Sequence, residues 1–327
     1  MKHTRKKICL TPVKDEAWIL PHFLSCAEKW ADIIIIADQA STDGSKEIAK
    51  AHPKVELIEN RSLTFNEPER QKMLIEHARK IAPGSLLISL DADEAFTADF
   101  TSSSEWNSLM QLKEGTTIRF RWINLLPDKS TGWSPEQYHA WGFIDDGTPH
   151  KGNTIHSPRV PVTDKIYDVQ DFQVLHYQYV HWMRMKSKQR WYMAWEYLHN
   201  DQLSTVKLHR RYKHMEQFSR NNIFTIPTPK LHTTDSIQIQ ENDLFRWDKL
   251  VMDMFDQFGT RNFSKVPLWD APWTELGKKH GRINPDNYAD PRSTFEVKLQ
   301  SWLDQTSDTR RTKMIWILDA ILRVMRF

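Results

Sequence analysis

The run Ile33-Ile-Ile-Ile-Ala37 constrains this chain more than any other stretch. Four β-branched side chains in succession are stiff at χ1 and favour a strand. With no polar residue alternating among them, they need cover on both faces, which is the pattern of a central parallel strand. The flanking sequence repeats the theme. Ile8–Val13 reads as a short buried strand. Glu16–Trp30 carries helical periodicity through Trp18, Ile19, Phe23, Cys26 and Ala27, and Pro21 must lie in its first turn or kink it. Ser41–Ser45 supplies caps for a helix to about Ala51. Val55–Ile58 is strand-like, Pro68–Ile81 helical, and Leu86–Leu90 another buried strand. Strands alternating with helices predict an α/β fold, a mostly parallel, Rossmann-like sheet with helices on both faces.

The rhythm changes near residue 98. A helix over Ser104–Lys113 precedes a strand over Thr116–Asn124, and Leu126–Pro161 reads as a long loop. Val174–Tyr179 is strand-like and His181–Asn200 a long helix rich in Trp, Tyr, Arg and Lys. From about residue 208 the chain is mainly helical, broken at Ile226–Pro229 and Val266–Pro272. This predicts an α/β domain over residues 1–200 and a mainly helical C-terminal region over residues 201–327.

Composition narrows the class. A chain of 327 residues with 39% hydrophobic and 27% charged residues has a full core, which excludes wholesale disorder. Lys plus Arg is 45 against 42 Asp plus Glu, with the signs interspersed, so no nucleic-acid partner is expected. Only Cys9 and Cys26 are present, both among apolar residues, which favours a reducing compartment over a disulfide framework. The apolar run after Lys7 is too short for a signal peptide, and no run is long enough for a transmembrane helix. The expectation is a soluble, cytoplasmic protein.

In an open parallel sheet, ligands bind at the carboxyl ends of the strands where strand order reverses. Polar residues collect there: Thr11-Pro-Val-Lys-Asp-Glu16, Asp38-Gln-Ala-Ser-Thr-Asp-Gly44 and Asp91-Ala-Asp-Glu94. Three acidic strand ends beside one crevice suit a divalent cation bridging to a diphosphate. No Gly-x-Gly-x-x-Gly follows the first strand and no Walker A sequence occurs, which excludes a dinucleotide-binding or P-loop site. The Gly-rich loop of a sugar-nucleotide pyrophosphorylase is missing as well.

These three motifs, Lys14-Asp-Glu16, Ile-Ile-Ala-Asp38-x-x-Ser-Thr-Asp-Gly-Ser45 and Leu-Asp91-Ala-Asp-Glu94, stand in an order and spacing that resemble glycosyltransferase family 2, with its GT-A fold. The resemblance covers residues 7–100, the nucleotide-sugar half, and more loosely residues 100–200, the acceptor half. It implies an inverting, metal-dependent transfer of a hexosyl unit from a nucleoside-diphosphate sugar, UDP by family habit, to a saccharide or lipid-linked glycan. It places Thr11, Pro12 and Val13 at the nucleobase pocket, Asp38 on the base and Asp91 on the ribose. Asp93 becomes the ligand of Mn²⁺ or Mg²⁺, His176 an additional metal or diphosphate ligand, and Arg70 a basic donor contact. Each has a plainer alternative: Asp43 as a helix cap, Glu16 as a donor contact or a helix-terminus charge, Arg70 paired to Glu67 or Glu69, and His176 as a core histidine. A non-catalytic glycan- or nucleotide-sugar-binding protein is the alternative function.

The second half gives fewer signals. Asp146 in Trp141-Gly-Phe-Ile-Asp-Asp-Gly147 is the candidate base that deprotonates the acceptor hydroxyl, with Asp145, Glu94 and His156 as alternatives. Arg184, Lys186 and Lys188 are candidates for steadying the leaving diphosphate. Of the fourteen tryptophans, Trp133 and Trp141 are singled out as acceptor platforms, the others being expected to pack. Finally, Arg310–Phe327 reads as a helix with Asp319, Arg323 and Arg326 on one narrow polar stripe. So broad an apolar surface must be covered, by the protein itself, by a second subunit, or by an anionic membrane in peripheral contact.

Overall fold

The computed structural model describes residues 5–62, 66–153, 157–200, 203–216, 222–239, 244–306 and 312–324. In chain order the elements are β1 (Lys7–Val13), α1 (Leu20–Ala27), β2 (Ile33–Asp38), α2 (Ser45–Ala51), β3 (Val55–Glu59), α3 (Glu67–Ile81), β4 (Leu86–Ser89) and β5 (Glu94–Phe96). There follow α4 (Ser104–Leu109), β6 (Thr117–Phe120), β7 (Trp122–Leu125), β8 (Thr131–Trp133), β9 (His139–Ile144), β10 (Ile166–Asp168) and β11 (Val174–His176). The remainder comprises α5 (Trp182–His199), α6 (Thr205–Tyr212), β12 (Phe224–Thr225), α7 (Arg246–Phe258), α8 (Trp273–Lys279), α9 (Thr294–Gln305) and α10 (Lys313–Val324).

The chain divides into two units, Met1–Val180 with Phe224–Ile239, and His181–Ile223 with Gln240–Phe327. The boundary expected at residue 200 therefore falls inside the second unit, because α5 packs with α6 and α7 and β12 joins the first unit's sheet.

The first unit holds a seven-stranded sheet in the order β10-β6-β9-β4-β1-β2-β3. β1 runs parallel to β2 and β4, and β2 to β3. From β1 the chain steps outward through β2 to β3, then returns to lay β4 on β1's other side, so the order reverses between β1 and β4. The pleat divides the isoleucine run between two cores. Ile35 and Ala37 join Ile8, Leu10 and Leu87 against Leu74, Ile75 and Ala78 of α3. Ile34 and Ile36 join Cys9 and Ile88 against Leu20, Phe23 and Leu24 of α1. α3 begins where the Asn66 side chain accepts from the Glu69 amide at 3.3 Å, with Pro68 in the first turn and Arg79 and Lys80 in the last. The predicted α/β architecture and the mainly helical C-terminal residues are thus both present.

Two expectations change. Thr116–Asn124 is not one strand: the ladder breaks at Arg121, leaving β6 in the large sheet and sending β7 into a second sheet of order β12-β8-β7-β11-β5. The stretch expected to be loop contains β8 and β9, and β9 inserts antiparallel between β4 and β6. In the second unit α5 is tied to Asp270 through both nitrogens of the Arg190 fork (2.9 and 3.0 Å), and Ser187 donates to Asp248 at 2.8 Å. Trp247, Trp269 and Trp273 are buried there, as Trp30, Trp106 and Trp141 are in the first unit, so much of the tryptophan load serves packing. Among the described residues no helix is long and apolar enough to cross a membrane.

His22 of α1 is buried edge-on against Tyr177, 4.7 Å between ring centres. Burial disfavours its charged form, and nearby His232 and Lys29 add to the effect, lowering its pKa from 6.5 to about 4. A depressed histidine contributes stability that is complete above pH 6.5 and is lost as pH falls toward 4. Replacing His22 by Leu should therefore remove about 2 kcal/mol of the acid sensitivity between pH 7 and pH 4.5. Urea unfolding of both proteins at the two pH values measures it. Equal losses would mean the ring is not desolvated in the native state.

Candidate functional site

The site assembles at the carboxyl ends of β1, β2 and β4. Thr11 and Val13 are buried in β1 with Pro12 partly exposed, and the three lie in register with Ile36, Ala37 and Asp38 of β2. Asp38 is 2% exposed, and its Oδ2 accepts from the Ser41 amide at 3.2 Å. Its Oδ1 is buried without a hydrogen-bond partner. A desolvated carboxylate oxygen left unpaired is costly, so this atom is suited to receive a donor from a ligand.

The loop after β1 is clamped to the loop after β2. Asp15 has a left-handed backbone (φ 53°), held because its Oδ1 accepts from the Thr42 amide (2.8 Å) and its own amide donates to Ser41 Oγ (2.9 Å). The Glu16 amide donates to Ser45 Oγ (2.8 Å), and Glu16 Oε2 accepts from Trp18 Nε1 (2.9 Å). Lys14 Nζ donates to the Gln39 carbonyl at 2.6 Å. Asp43 accepts from the Ser45 amide (3.0 Å), Ser45 Oγ (2.6 Å) and the Ala17 amide (2.8 Å). It caps α2 from one position early, since Gly44 occupies the N-cap itself. Asp43 is structural, and Glu16 is engaged within the same clamp.

Past β4 the carboxylates meet a cation that the motifs did not announce. Arg159 donates from Nη2 to Asp91 Oδ2 (2.7 Å) and to Glu94 Oε1 (3.0 Å), and from Nη1 to Glu94 Oε2. Glu94, 1% exposed, also accepts from Trp122 Nε1 at 3.0 Å. The guanidinium lies over Trp141, 4.9 Å from the ring centre. Burial opposes the charge on Arg159, but the surrounding Asp91, Glu94 and Asp93 outweigh it and raise its pKa. Asp91 remains partly open.

Asp93, 4% exposed, turns toward His176 of β11, with Oδ2 3.8 Å from Nε2. The other ring nitrogen, Nδ1, donates to Asn124 Oδ1 at 2.8 Å. That bond fixes the orientation of the ring, with Nε2 directed toward the carboxylate. The ring also stacks on Trp122, 4.8 Å between centres and 14° between planes.

Asp145 and Asp146 are not gathered here. Ile144 of β9 pairs with Leu86 at the amino end of β4, so Asp145 and Asp146 emerge at the opposite end of the sheet from Asp91 and Asp93. Asp145 is bound by Arg79 (2.8 and 3.0 Å), and exposed Asp146 accepts from the Thr148 amide (2.9 Å). This corrects the assignment of Asp146 as base: antiparallel insertion of β9 reverses the end at which its carboxylates appear. Arg70 stays at this end of the sheet, in a cleft of about 700 Å³ lined also by Asn60, whose amide donates to the Asp38 carbonyl at 2.8 Å. Within the second unit, Arg184 stacks over Trp247 and Lys186 pairs with Asp270 at 2.8 Å. Trp141 is buried beneath Arg159, and Trp133 stands half-buried and edge-on to Tyr179. His156 lies outside the described residues.

No protein-family model matches the chain, and no curated protein matches it. Among solved structures, residues 1–349 of TarS from S. aureus align at 11% identity and a TM-score of 0.38, over 86% of this chain and 89% of that one. The same fragment in complex with UDP-GlcNAc gives 12% and 0.36, over 94% and 93%. A 4-diphosphocytidyl-2C-methyl-D-erythritol synthase gives 19% and 0.22, over 27% of this chain, which spans only 47% of that protein's length. Likenesses this distant assign neither family nor activity.

Glu94 is sealed from solvent and bound on both oxygens by Arg159. Arg159→Met should destabilise the protein by about 3–5 kcal/mol, the cost of stranding one member of a buried pair. The double variant Arg159→Met/Glu94→Gln should recover much of it. Urea unfolding of the wild type, both single variants and the double decides it, and additive losses would mean the groups do not interact.

Proposed function

We propose that this chain is a metal-assisted, GT-A-type glycosyltransferase that moves a hexosyl unit from a nucleoside-diphosphate sugar to a saccharide or lipid-linked glycan, with inversion at the anomeric carbon. The observation that supports this reading is the approach of Asp93 Oδ2 to His176 Nε2 at 3.8 Å, a carboxylate and an imidazole brought together at the carboxyl end of β4. A carboxylate oxygen and an imidazole nitrogen are both ligand types for a divalent cation. Among the described residues no group of three or more His, Cys, Asp or Glu side chains forms a metal cluster. Two protein ligands still fit Mg²⁺ or Mn²⁺ of the kind completed by substrate phosphates and water. The bound ion would supply charge neutralisation for the leaving diphosphate.

The chain's own residues have distinct parts. Thr11, Pro12 and Val13 floor the nucleobase pocket, and the unpaired Asp38 Oδ1 accepts from the base. Asp91 accepts from the ribose hydroxyls while Arg159 holds it in place. Glu94 acts as a positioning residue for Arg159, since both its oxygens are already bonded. The acceptor's proton leaves to a base other than Asp145 or Asp146, which face the opposite sheet end.

Calorimetry of UDP binding, first with Mn²⁺ and then with EDTA, tests the reading. The wild type should bind only with the metal. Asp93→Ala should lose that dependence and at least on the order of 10²-fold in transfer, since a metal clamp is worth several kcal/mol. Asp146→Asn should leave turnover unchanged. Equal UDP binding in EDTA together with full turnover in Asp93→Ala would remove the metal from the mechanism.

A further inference from the structure

α10 is amphipathic, but it is mounted with its charge inward. Asp319, 4% exposed, receives two hydrogen bonds from Arg210 of α6, at 2.9 and 3.0 Å. Arg210 is 5% exposed and also donates to the Leu303 carbonyl and Thr306 Oγ1, both at 2.9 Å. The opposite face carries Met314, Ile317, Leu318, Ile321 and Val324, spaced i, i+3, i+4, i+7 and i+10, so they form one stripe. They are 66, 53, 37, 50 and 85% exposed.

Beside this stripe, and sharing Val324 with it, opens a cleft of about 870 Å³. Its lining includes four cations, Lys207, Arg261, Lys265 and Arg323, against the single carboxylate of Glu296. That carboxylate accepts from Ser264 Oγ (2.8 Å) and the Ser293 amide (2.7 Å) and pairs with Arg261 at 3.4 Å, which leaves Lys207, Lys265 and Arg323 in excess. An apolar stripe bordering a cluster of positive charge matches one surface chemistry: acyl chains beneath a layer of anionic headgroups. A helix of 12 residues is about 18 Å long, too short to span a bilayer but suited to lie in its interface.

We infer that the second unit docks on an anionic lipid bilayer, with the α10 stripe in the acyl boundary and headgroup phosphates in the Lys207–Arg261–Lys265–Arg323 cleft. This surface lies wholly within the second unit and does not depend on the donor site, so the two readings fail separately.

The test is co-sedimentation of the full chain with vesicles of phosphatidylcholine alone and of phosphatidylcholine mixed with phosphatidylglycerol. The protein should pellet with the anionic vesicles and remain in solution with the neutral ones. Ile317→Glu/Ile321→Glu should abolish pelleting, and Lys207→Glu should weaken it about fivefold or more, as expected for a basic side chain at an anionic surface. Both changes are at solvent-facing positions, and unchanged melting temperatures verify the fold. No pelleting with anionic vesicles, or pelleting that Ile317→Glu/Ile321→Glu leaves intact, overturns the inference. So does a dimer in sedimentation equilibrium that the same pair of substitutions disperses, because the stripe would then be a subunit interface.

Discussion

A sheet sealed on both faces meets ligands only at its strand ends, and the first unit is built on that constraint. α3 covers one face of β1, β2 and β4 and α1 the other, so the strands themselves carry almost nothing but aliphatic side chains. Polar residues are displaced to the loops. Where strand order reverses between β1 and β4, successive connections leave on opposite sides and a crevice opens between them. Asp38, Asp91 and Asp93 all fall at that end of the sheet. The Lys14–Ala17 and Gln39–Ser45 loops brace one another there through at least four short hydrogen bonds. The crevice floor is therefore set before any ligand arrives, which lowers the ordering cost of binding.

Charge within the crevice is graded by depth. Glu94 is sealed and fully bonded, Asp91 shares its cation and stays partly open, and Asp93 faces an imidazole whose orientation Asn124 dictates. Arg159 makes this gradation possible by offsetting two carboxylates at once while resting on Trp141. Without it, three acids within four residues would face one another with no cation between them.

What the sequence reveals, and what it hides, divides along contact range. The isoleucine run, the helix expected over Pro68–Ile81 and the polar strand ends are set by periodicity and local chemistry, and the structure has all three, with the helix starting one residue earlier, at Glu67. The end of the sheet at which Asp145 and Asp146 emerge depends on β9 pairing antiparallel with β4, some fifty residues away, and no local pattern encodes that choice. Arg159 was equally hidden, as an arginine in a proline-containing loop looks solvated until its partners 65 and 68 residues away are known. One clue existed: two carboxylates at the end of a buried strand imply a counter-charge somewhere in the chain. His176 is legible as a residue type at a strand end, but the direction of its ring is set by Asn124 from another strand.

The same limit explains α10. Its sequence shows a narrow polar stripe on an apolar helix but not which side faces the protein. Arg210 decides it. Turning the helix half a revolution would bury Met314, Ile317 and Ile321 and leave Arg210 sealed beneath Leu303 and Thr306 without its carboxylate. Stranding that charge costs about 3–5 kcal/mol. Completing the burial of several half-exposed aliphatic side chains gains roughly 1 kcal/mol each. The opposing quantities are close in size, so in water the apolar face is held outward by a narrow margin. A surface that covers the stripe removes the opposing term and leaves the Arg210–Asp319 pair uncontested. The ion pair then acts as a mount, fixing which side of the helix is presented rather than how stable the unit is.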